Sequence, residues 1–161
     1  MAQLLIVYHS RTGGSRQMAE AAADAARDDA ETILKTADLA CADDLLKADG
    51  YIFCAPENLA AISGVMKDFF DRSYYPVLGC IEGRPYALMV CAGSDGENAA
   101  RQMARIATGW RLKEVQSPLI ICTHAQSPEA ILAEKTIPEN QLSSCREIGA
   151  AMAAGLSLGI F

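Results

Sequence analysis

Zinc-type ligand spacing is missing from this chain of 161 residues. Its six cysteines (Cys41, Cys54, Cys80, Cys91, Cys122 and Cys145) form no Cys-x-x-Cys pair, and only two histidines accompany them. A metal site therefore has no ligand set, and none is expected. Basic charge is also scarce: 14 Lys and Arg stand against 20 Asp and Glu, a net charge of −6. That balance argues against nucleic acid as a partner. It suits a soluble protein, or one that docks basic patches on a partner. No apolar run is long enough to cross a membrane. The short opening run Leu4–Tyr8 lacks a basic lead-in and an Ala-x-Ala cleavage site, so it does not read as a secretory signal, and the cytoplasm is the expected location. Pro/Ser-rich tracts, charge blocks and internal repeats are absent too, so residues 1–161 read as a single domain. With 51% hydrophobic residues, that domain can bury a sizeable core. Cys54, Cys91 and Cys122 lie inside apolar runs and read as reduced core residues. Two nucleotide signatures are missing as well: there is no Gly-x-x-x-x-Gly-Lys-Ser/Thr and no Gly-x-Gly-x-x-Gly after the first apolar run.

What stands in their place is Leu4-Leu5-Ile6-Val7-Tyr8-His9-Ser10-Arg11-Thr12-Gly13-Gly14-Ser15-Arg16-Gln17-Met18-Ala19. This reads as a buried strand, a turn rich in hydroxyls and glycines, and then a helix. A helix start carries unpaired N–H groups and partial positive charge, so an anion placed there finds donors already aimed at it. Ser10, Thr12 and Ser15 can add hydroxyl donors, while Gly13 and Gly14 let the backbone approach closely. Arg11 and Arg16 offer charge to the same anion or to solvent. The competing reading is an ordinary strand-to-helix turn capped by Ser15.

Strand-like runs recur at Leu4–Tyr8, Thr32–Lys35, Gly50–Ala55, Tyr86–Ala92 and Pro118–Thr123. The last three are continuous rather than alternating, as in strands covered on both faces. Helix-like segments fall between and after them at Ser15–Arg27, Cys41–Lys47, Ile62–Tyr74, Asn98–Gly109 and Gln141–Leu156, with apolar stripes that read as core. This alternation predicts an α/β domain of three layers, a doubly wound five-stranded parallel sheet with helices on both faces. Ligands of such sheets sit beyond the carboxyl ends of the strands, which directs attention to the loops after the first, third and fourth strands. Gln126–Glu139, the longest irregular stretch, reads as a lid, a partner surface or a plain connection.

The second of those loops is Pro56-Glu57-Asn58-Leu59-Ala60-Ala61-Ile62-Ser63-Gly64. Pro56 is expected to stiffen a turn. Glu57 and Asn58 offer polar groups to a planar heterocycle, since an Asn amide both donates and accepts. The bland reading of Asn58 is a helix cap. The third loop is Ala92-Gly93-Ser94-Asp95-Gly96-Glu97, where two glycines let the backbone fold tightly and Asp95 could cap the next helix.

The first loop resembles the flavodoxin signature at Tyr8, Ser10, Gly13 and Ala19. Ser15 stands where a threonine is usual and Ala22 where a larger aliphatic is normal. The segment Pro56-Glu57 … Ile62-Ser63-Gly64-Val65-Met66-Lys67-Asp68-Phe69-Phe70-Asp71-Arg72 is similar to NAD(P)H-dependent FMN reductases and to the multimeric, quinone-reductase branch of flavodoxin-like proteins. The resemblance covers the whole chain in element order, and its specific motifs cover about the first half plus the loop at Gly93. It implies strand order 2-1-3-4-5 and FMN as cofactor, with phosphate on Ser10 to Ser15. The flavin ring would lie between Pro56, Glu57, Asn58, Leu59 and Ala60 on one side and Gly93, Ser94, Asp95 and Gly96 on the other. NAD(P)H is the implied co-substrate, the acceptor a small molecule, and a homo-oligomer plausible. A response-regulator receiver of the same fold fails on chemistry: His9-Ser10, Ala55-Pro56 and His124-Ala125 stand where its acidic cluster, phosphoacceptor and lysine belong.

Flavodoxins proper stack aromatic side chains on the flavin, which blocks hydride access. Here no aromatic lies between Pro56 and Ser63 or between Gly93 and Arg105. An open ring face favours two-electron exchange, so a reductase is preferred to an electron carrier. A carrier, or a non-redox scaffold that binds FMN, stands as the alternative. Tyr74, Tyr75 and Trp110 serve either a neighbouring subunit's site or packing. No protein residue is assigned a catalytic role, because the flavin carries the chemistry. Glu57 and Asp95 are expected to oppose negative charge on the ring. His9 and His124 are not assigned to catalysis, and Lys67, Asp71 and Arg72 read as surface pairs or subunit contacts.

The loop assignment makes a direct prediction. Each hydroxyl bond to a charged phosphate contributes roughly 1.5–3 kcal/mol, so Ser10→Ala combined with Thr12→Val lowers FMN affinity by about tenfold or more in a fluorescence titration. Unchanged affinity would put the phosphate elsewhere.

Overall fold

A computed structural model describes residues 1–161. Strand β1 (Gln3–Tyr8) is an inner strand of the sheet and is followed by α1 (Gly14–Ala26), β2 (Glu31–Thr36), α2 (Ala42–Lys47), β3 (Gly50–Asn58) and the two-residue β4 (Ala61–Ile62). Then come α3 (Gly64–Val77), β5 (Pro85–Ala92), α4 (Glu97–Gly109), β6 (Lys113–Glu114), β7 (Leu119–Cys122), α5 (Pro128–Leu132) and α6 (Glu139–Leu158). The sheet runs β2-β1-β3-β5-β6, and β7 also pairs β5. All of these pairings are parallel. With β6 and β7 counted as two pieces of one last strand, this is the expected order 2-1-3-4-5.

The apolar runs are continuous because the sheet is covered twice. Leu5 and Val7 of β1, Tyr51, Phe53 and Ala55 of β3, and Leu88 and Val90 of β5 face one core, together with Phe69, Phe70, Met103 and Trp110. Their neighbours Leu4, Ile6, Ile52, Cys54, Met89 and Cys91 face the other, against Met18, Ala19, Ile148 and Met152. Alternation persists, but both destinations are apolar. No helix is long and apolar enough to cross a membrane.

Three boundaries differ from expectation. β3 continues through Pro56 to Asn58 and turns back as β4, so Pro56 lies in a strand opposite Cys91 rather than in a free turn. Residues Ala61–Ile62 are therefore strand, and α3 starts at Gly64. The last strand is split: β6 pairs Pro85–Tyr86, β7 pairs Met89–Ala92, and Pro118, which has no N–H for a ladder, lies between them. The stretch Gln126–Glu139 is not wholly irregular, since it contains the single-turn α5.

All six cysteines are free; Cys54 and Cys91 are buried and Cys122 half-buried. Burial pushes the Cys91 and Cys145 thiols up to about 11, so both are protonated. Trp110 is fully buried, stacks on Tyr74 at 5.6 Å and donates from Nε1 to the Tyr74 carbonyl. It follows the C-terminus of α4, at the sheet edge opposite the site. Trp110 and Tyr74 thus serve packing, while Tyr75 is exposed. Lys67 pairs with Asp71, and Arg72 pairs with Asp68 while also donating to the carbonyls of Ala37 and Ala40, which ties α3 to the loop after β2.

Helix α1 lies closely on α6, and Gly149 is what permits it: a Cβ at that position would overlap the backbone carbonyl of Ala22. Backbone cannot step aside as a flexible side chain can, so Gly149→Ala is expected to destabilise the fold by about 2–3 kcal/mol in a denaturant titration. The same exchange at the exposed Gly64, where a Cβ meets nothing, has no packing cost.

Candidate functional site

The turn after β1 is held open by its own chemistry. Gly13 has φ of 95°, a left-handed conformation that favours glycine. The Ser10 hydroxyl accepts from the Gly13 N–H at 3.0 Å and pins the turn. At the next residue a Cβ on Gly14 would lie 2.6 Å from Cys91 Sγ, so only glycine lets the turn settle onto β5. The first intrahelical bond of α1 runs from Gln17 N–H to Gly13 C=O. The N–H groups of Gly14, Ser15 and Arg16 precede it and point out of the helix start.

Ser15 is 2% exposed, and its hydroxyl has no hydrogen-bond partner. No side chain caps α1, so the capping role considered for Ser15 is excluded. A buried hydroxyl left unpaired costs free energy, and this one sits in the first turn of a 13-residue helix, where the dipole favours an anion. Both features suit a phosphate.

Beside the turn lies an open cleft of about 500 Å³, lined by Tyr8, His9, Ser10, Arg11, Thr12, Gly13 and Arg16, by Thr36 at the end of β2 and Asp38 beyond it, and by Leu132 and Glu134. A second, narrower slot of about 70 Å³ is lined by Thr12, Pro56, Glu57, Asn58, Cys91, Ala92 and Gly93, with Thr123, Ala125, Ile131 and Lys135 on its far side. Thr12 borders both, so the three edge loops meet at one place. Ligand pockets usually run from about 300 Å³ upward; the open cleft is of that size and the slot is not. Ile131 and Lys135 narrow the slot.

Several expected ligand residues do other work. The Glu57 carboxylate accepts from the N–H groups of Gly96 (2.9 Å) and Ala99 (3.2 Å), so it caps α4 across the sheet. Asp95 accepts from Glu97 N–H at 3.3 Å, the local cap expected of it. Asn58 pairs with Ala61 in the hairpin rather than capping a helix, and it lines the slot. Leu59 and Ala60 form the hairpin tip, with φ of 51° and 61°, and both side chains are exposed. Such left-handed conformations cost non-glycine residues about 1–3 kcal/mol each. The tip is held by Asn98, which donates to the Ala60 carbonyl at 2.6 Å, and by Gln102, which accepts from Ile62 N–H at 2.8 Å. Gly14, Ser15, Leu59, Ala60, Ser94, Asp95 and Gly96 line neither opening.

His9 Nδ1 lies 2.9 Å from the hydroxyl of the buried Ser63, and burial, opposed by Asp38 and aided by Arg11, lowers its pKa. The imidazole is therefore neutral at pH 7 and ties the first loop to the start of α3. His124 is exposed and does not reach the slot. The reading of three loops overlooked Thr36 and Asp38, and with them Ile131 and Lys135. Thr36 ends β2 and Asp38 follows it, and the carboxyl end of that strand shares the same sheet edge.

The unpaired hydroxyl separates binding from stability. Ser15→Ala removes a buried polar group that has no partner, so thermal stability without FMN is expected to hold or rise, while FMN affinity falls by about tenfold, the effect of one lost bond to a charged group. Calorimetric unfolding and flavin titration on the same preparation check both.

The family model described as NADPH-dependent FMN reductase matches residues 35–126. A flavodoxin of Aquifex aeolicus is 38% identical over 52% of this chain and 46% of its own length. An NAD(P)H dehydrogenase (quinone) of Acidithiobacillus ferrooxidans is 34% identical over 45% of this chain and 48% of its own. The chain thus spans about half the length of either relative. In structure, oxidised Flavodoxin 1 from Bacillus cereus superposes with a TM-score of 0.78 at 19% identity, over 97% of this chain and all of that one, a likeness of fold. The family match takes in the hairpin, α3, β5 and α4, more than half of the sequence: this chain belongs to the NADPH-dependent FMN reductase family and has the flavodoxin-like fold.

Proposed function

We propose that this chain is an FMN-dependent oxidoreductase that takes hydride from NAD(P)H and reduces a small acceptor such as a quinone or a free flavin. The observation that carries the reading is the buried, unpartnered Ser15 hydroxyl at the positive end of α1, behind a glycine turn whose Thr12 borders an aromatic-free slot. FMN, when bound, supplies the hydride and electron chemistry. The chain's own residues bind and orient. Ser10, Thr12 and Ser15, with the first amides of α1, would hold the phosphate. Pro56, Glu57 and Asn58 would flank the ring on one side and Gly93 on the other, with Asn58 offering both a donor and an acceptor. The carboxylate of Glu57 is engaged by two amides of α4, so its field at the slot is weaker than that of a free carboxylate.

Nothing aromatic lines the slot, and Tyr8 and the His9 imidazole are the rings at the open cleft. A ring placed there would keep one face accessible to nicotinamide or quinone, which supports two-electron exchange. Room for it depends on Ile131, whose segment Gln126–Glu134 has no buried residue and so has little packing to oppose its displacement.

An electron-carrier role is the second reading, favoured by the name of the Aquifex relative. Reconstitution with FMN followed by desalting should leave the protein yellow. Steady-state assays with NADH and NADPH, and with quinone or FMN as acceptor, should then show turnover. Absence of turnover, together with a one-electron-reduced absorbance band that persists during titration, would establish the carrier instead. A colourless protein would sink both readings.

A further inference from the structure

Between β7 and α6 the chain runs back across the phosphate turn, and Lys135 is where it is fastened. The Lys135 N–H donates to the Thr12 carbonyl at 2.8 Å. Its carbonyl accepts from Gln17 Nε2 at 2.6 Å, while Gln17 Oε1 accepts from the Ile137 N–H at 2.9 Å. One glutamine amide in α1 thus grips the strap with both polar atoms, and Ile137 is buried in the core behind it. With its backbone pinned, the Lys135 ammonium is confined. Nζ donates to the carbonyls of Ile131 (2.9 Å) and Ala133 (2.5 Å) and lies 3.5 Å from Thr12 Oγ1. An ammonium has three donors. Two are spent on carbonyls, and the third faces the Thr12 hydroxyl at a distance too long for a firm bond. Arg11, by contrast, is exposed, and Arg16 pairs with Glu20 at 3.6 Å.

We propose that Lys135 is the counter-charge of the cofactor's phosphate, and the residue that makes this site choose a flavin bearing a phosphate monoester over the same flavin without one. This rests on the flavin reading given above and names what that site selects. The spare donor points to the place an anion held by Thr12, Ser15 and the amides of α1 would occupy. A charged acceptor makes a shorter and stronger bond than a neutral hydroxyl.

The test is paired titration of wild type, Lys135→Met and Lys135→Arg with FMN and with riboflavin, at low and high salt. Lys135→Met should lose FMN affinity by about tenfold or more, as for one charge-assisted bond, while its riboflavin affinity stays put. Lys135→Arg should keep most of the preference, and added salt should shrink it in the wild type. Equal losses for both flavins would reduce Lys135 to a fastener of the strap and overturn the proposal, as would no loss at all. If Lys135→Met does not fold, the wild type decides: a preference for FMN that salt leaves untouched overturns the assignment. A wild type that binds neither flavin sinks the underlying flavin reading; one that binds both equally sinks only this one.

Discussion

Parallel pairing is the constraint from which the rest of this molecule follows. A strand that runs alongside its predecessor obliges the chain to return through a connection on the sheet's face. The helices that make those returns begin at one edge of the sheet and end at the other. The starts of α1, α3 and α4 therefore gather beyond the carboxyl ends of β1, β3 and β5, with their unpaired N–H groups and positive dipole ends. An acidic chain thereby acquires an edge that welcomes anions without a cluster of basic side chains.

The molecule treats those helix starts differently. The start of α4 is satisfied from within: Glu57 reaches over from the end of β3 and takes the amides of Gly96 and Ala99. The start of α1 is left open, with no side-chain cap and with the Ser15 hydroxyl unpaired behind it. Polar groups that are buried and unpaired are rare in folded proteins; of the two here, Ser15 and Ser73, Ser73 lies in the interior of α3 and only Ser15 stands at a helix start.

Much of this was legible in the residues. The sheet order and the glycine turn into α1 could be read because Leu4–Val7, Tyr51–Ala55 and Tyr86–Ala92 are buried on both faces, and because the hydroxyls and glycines of the turn are adjacent in sequence. The hairpin was not. A tight two-residue turn with positive φ usually announces itself with Asn-Gly or Asp-Gly, whereas here Leu59-Ala60 takes that shape only because Asn98 and Gln102 hold it from α4. That Glu57 also holds the start of α4 was hidden for the same reason, since the amides it accepts from lie about forty residues away. Lys135 and Thr12 are 123 residues apart, and the exposed strap that unites them has no periodicity to read.

The split last strand bears on solubility. A sheet ends in a strand with one unpaired side, a template on which a second molecule can extend the ladder. Here that side is two residues at β6 and four at β7, separated by Pro118, too short and too broken to seed a register. At the opposite border, the exposed Glu31 and the Lys35–Asp44 ion pair place charge on the edge strand β2, and charged edges are poor templates. Both margins of an apolar sheet are thus poor starting points for aggregation.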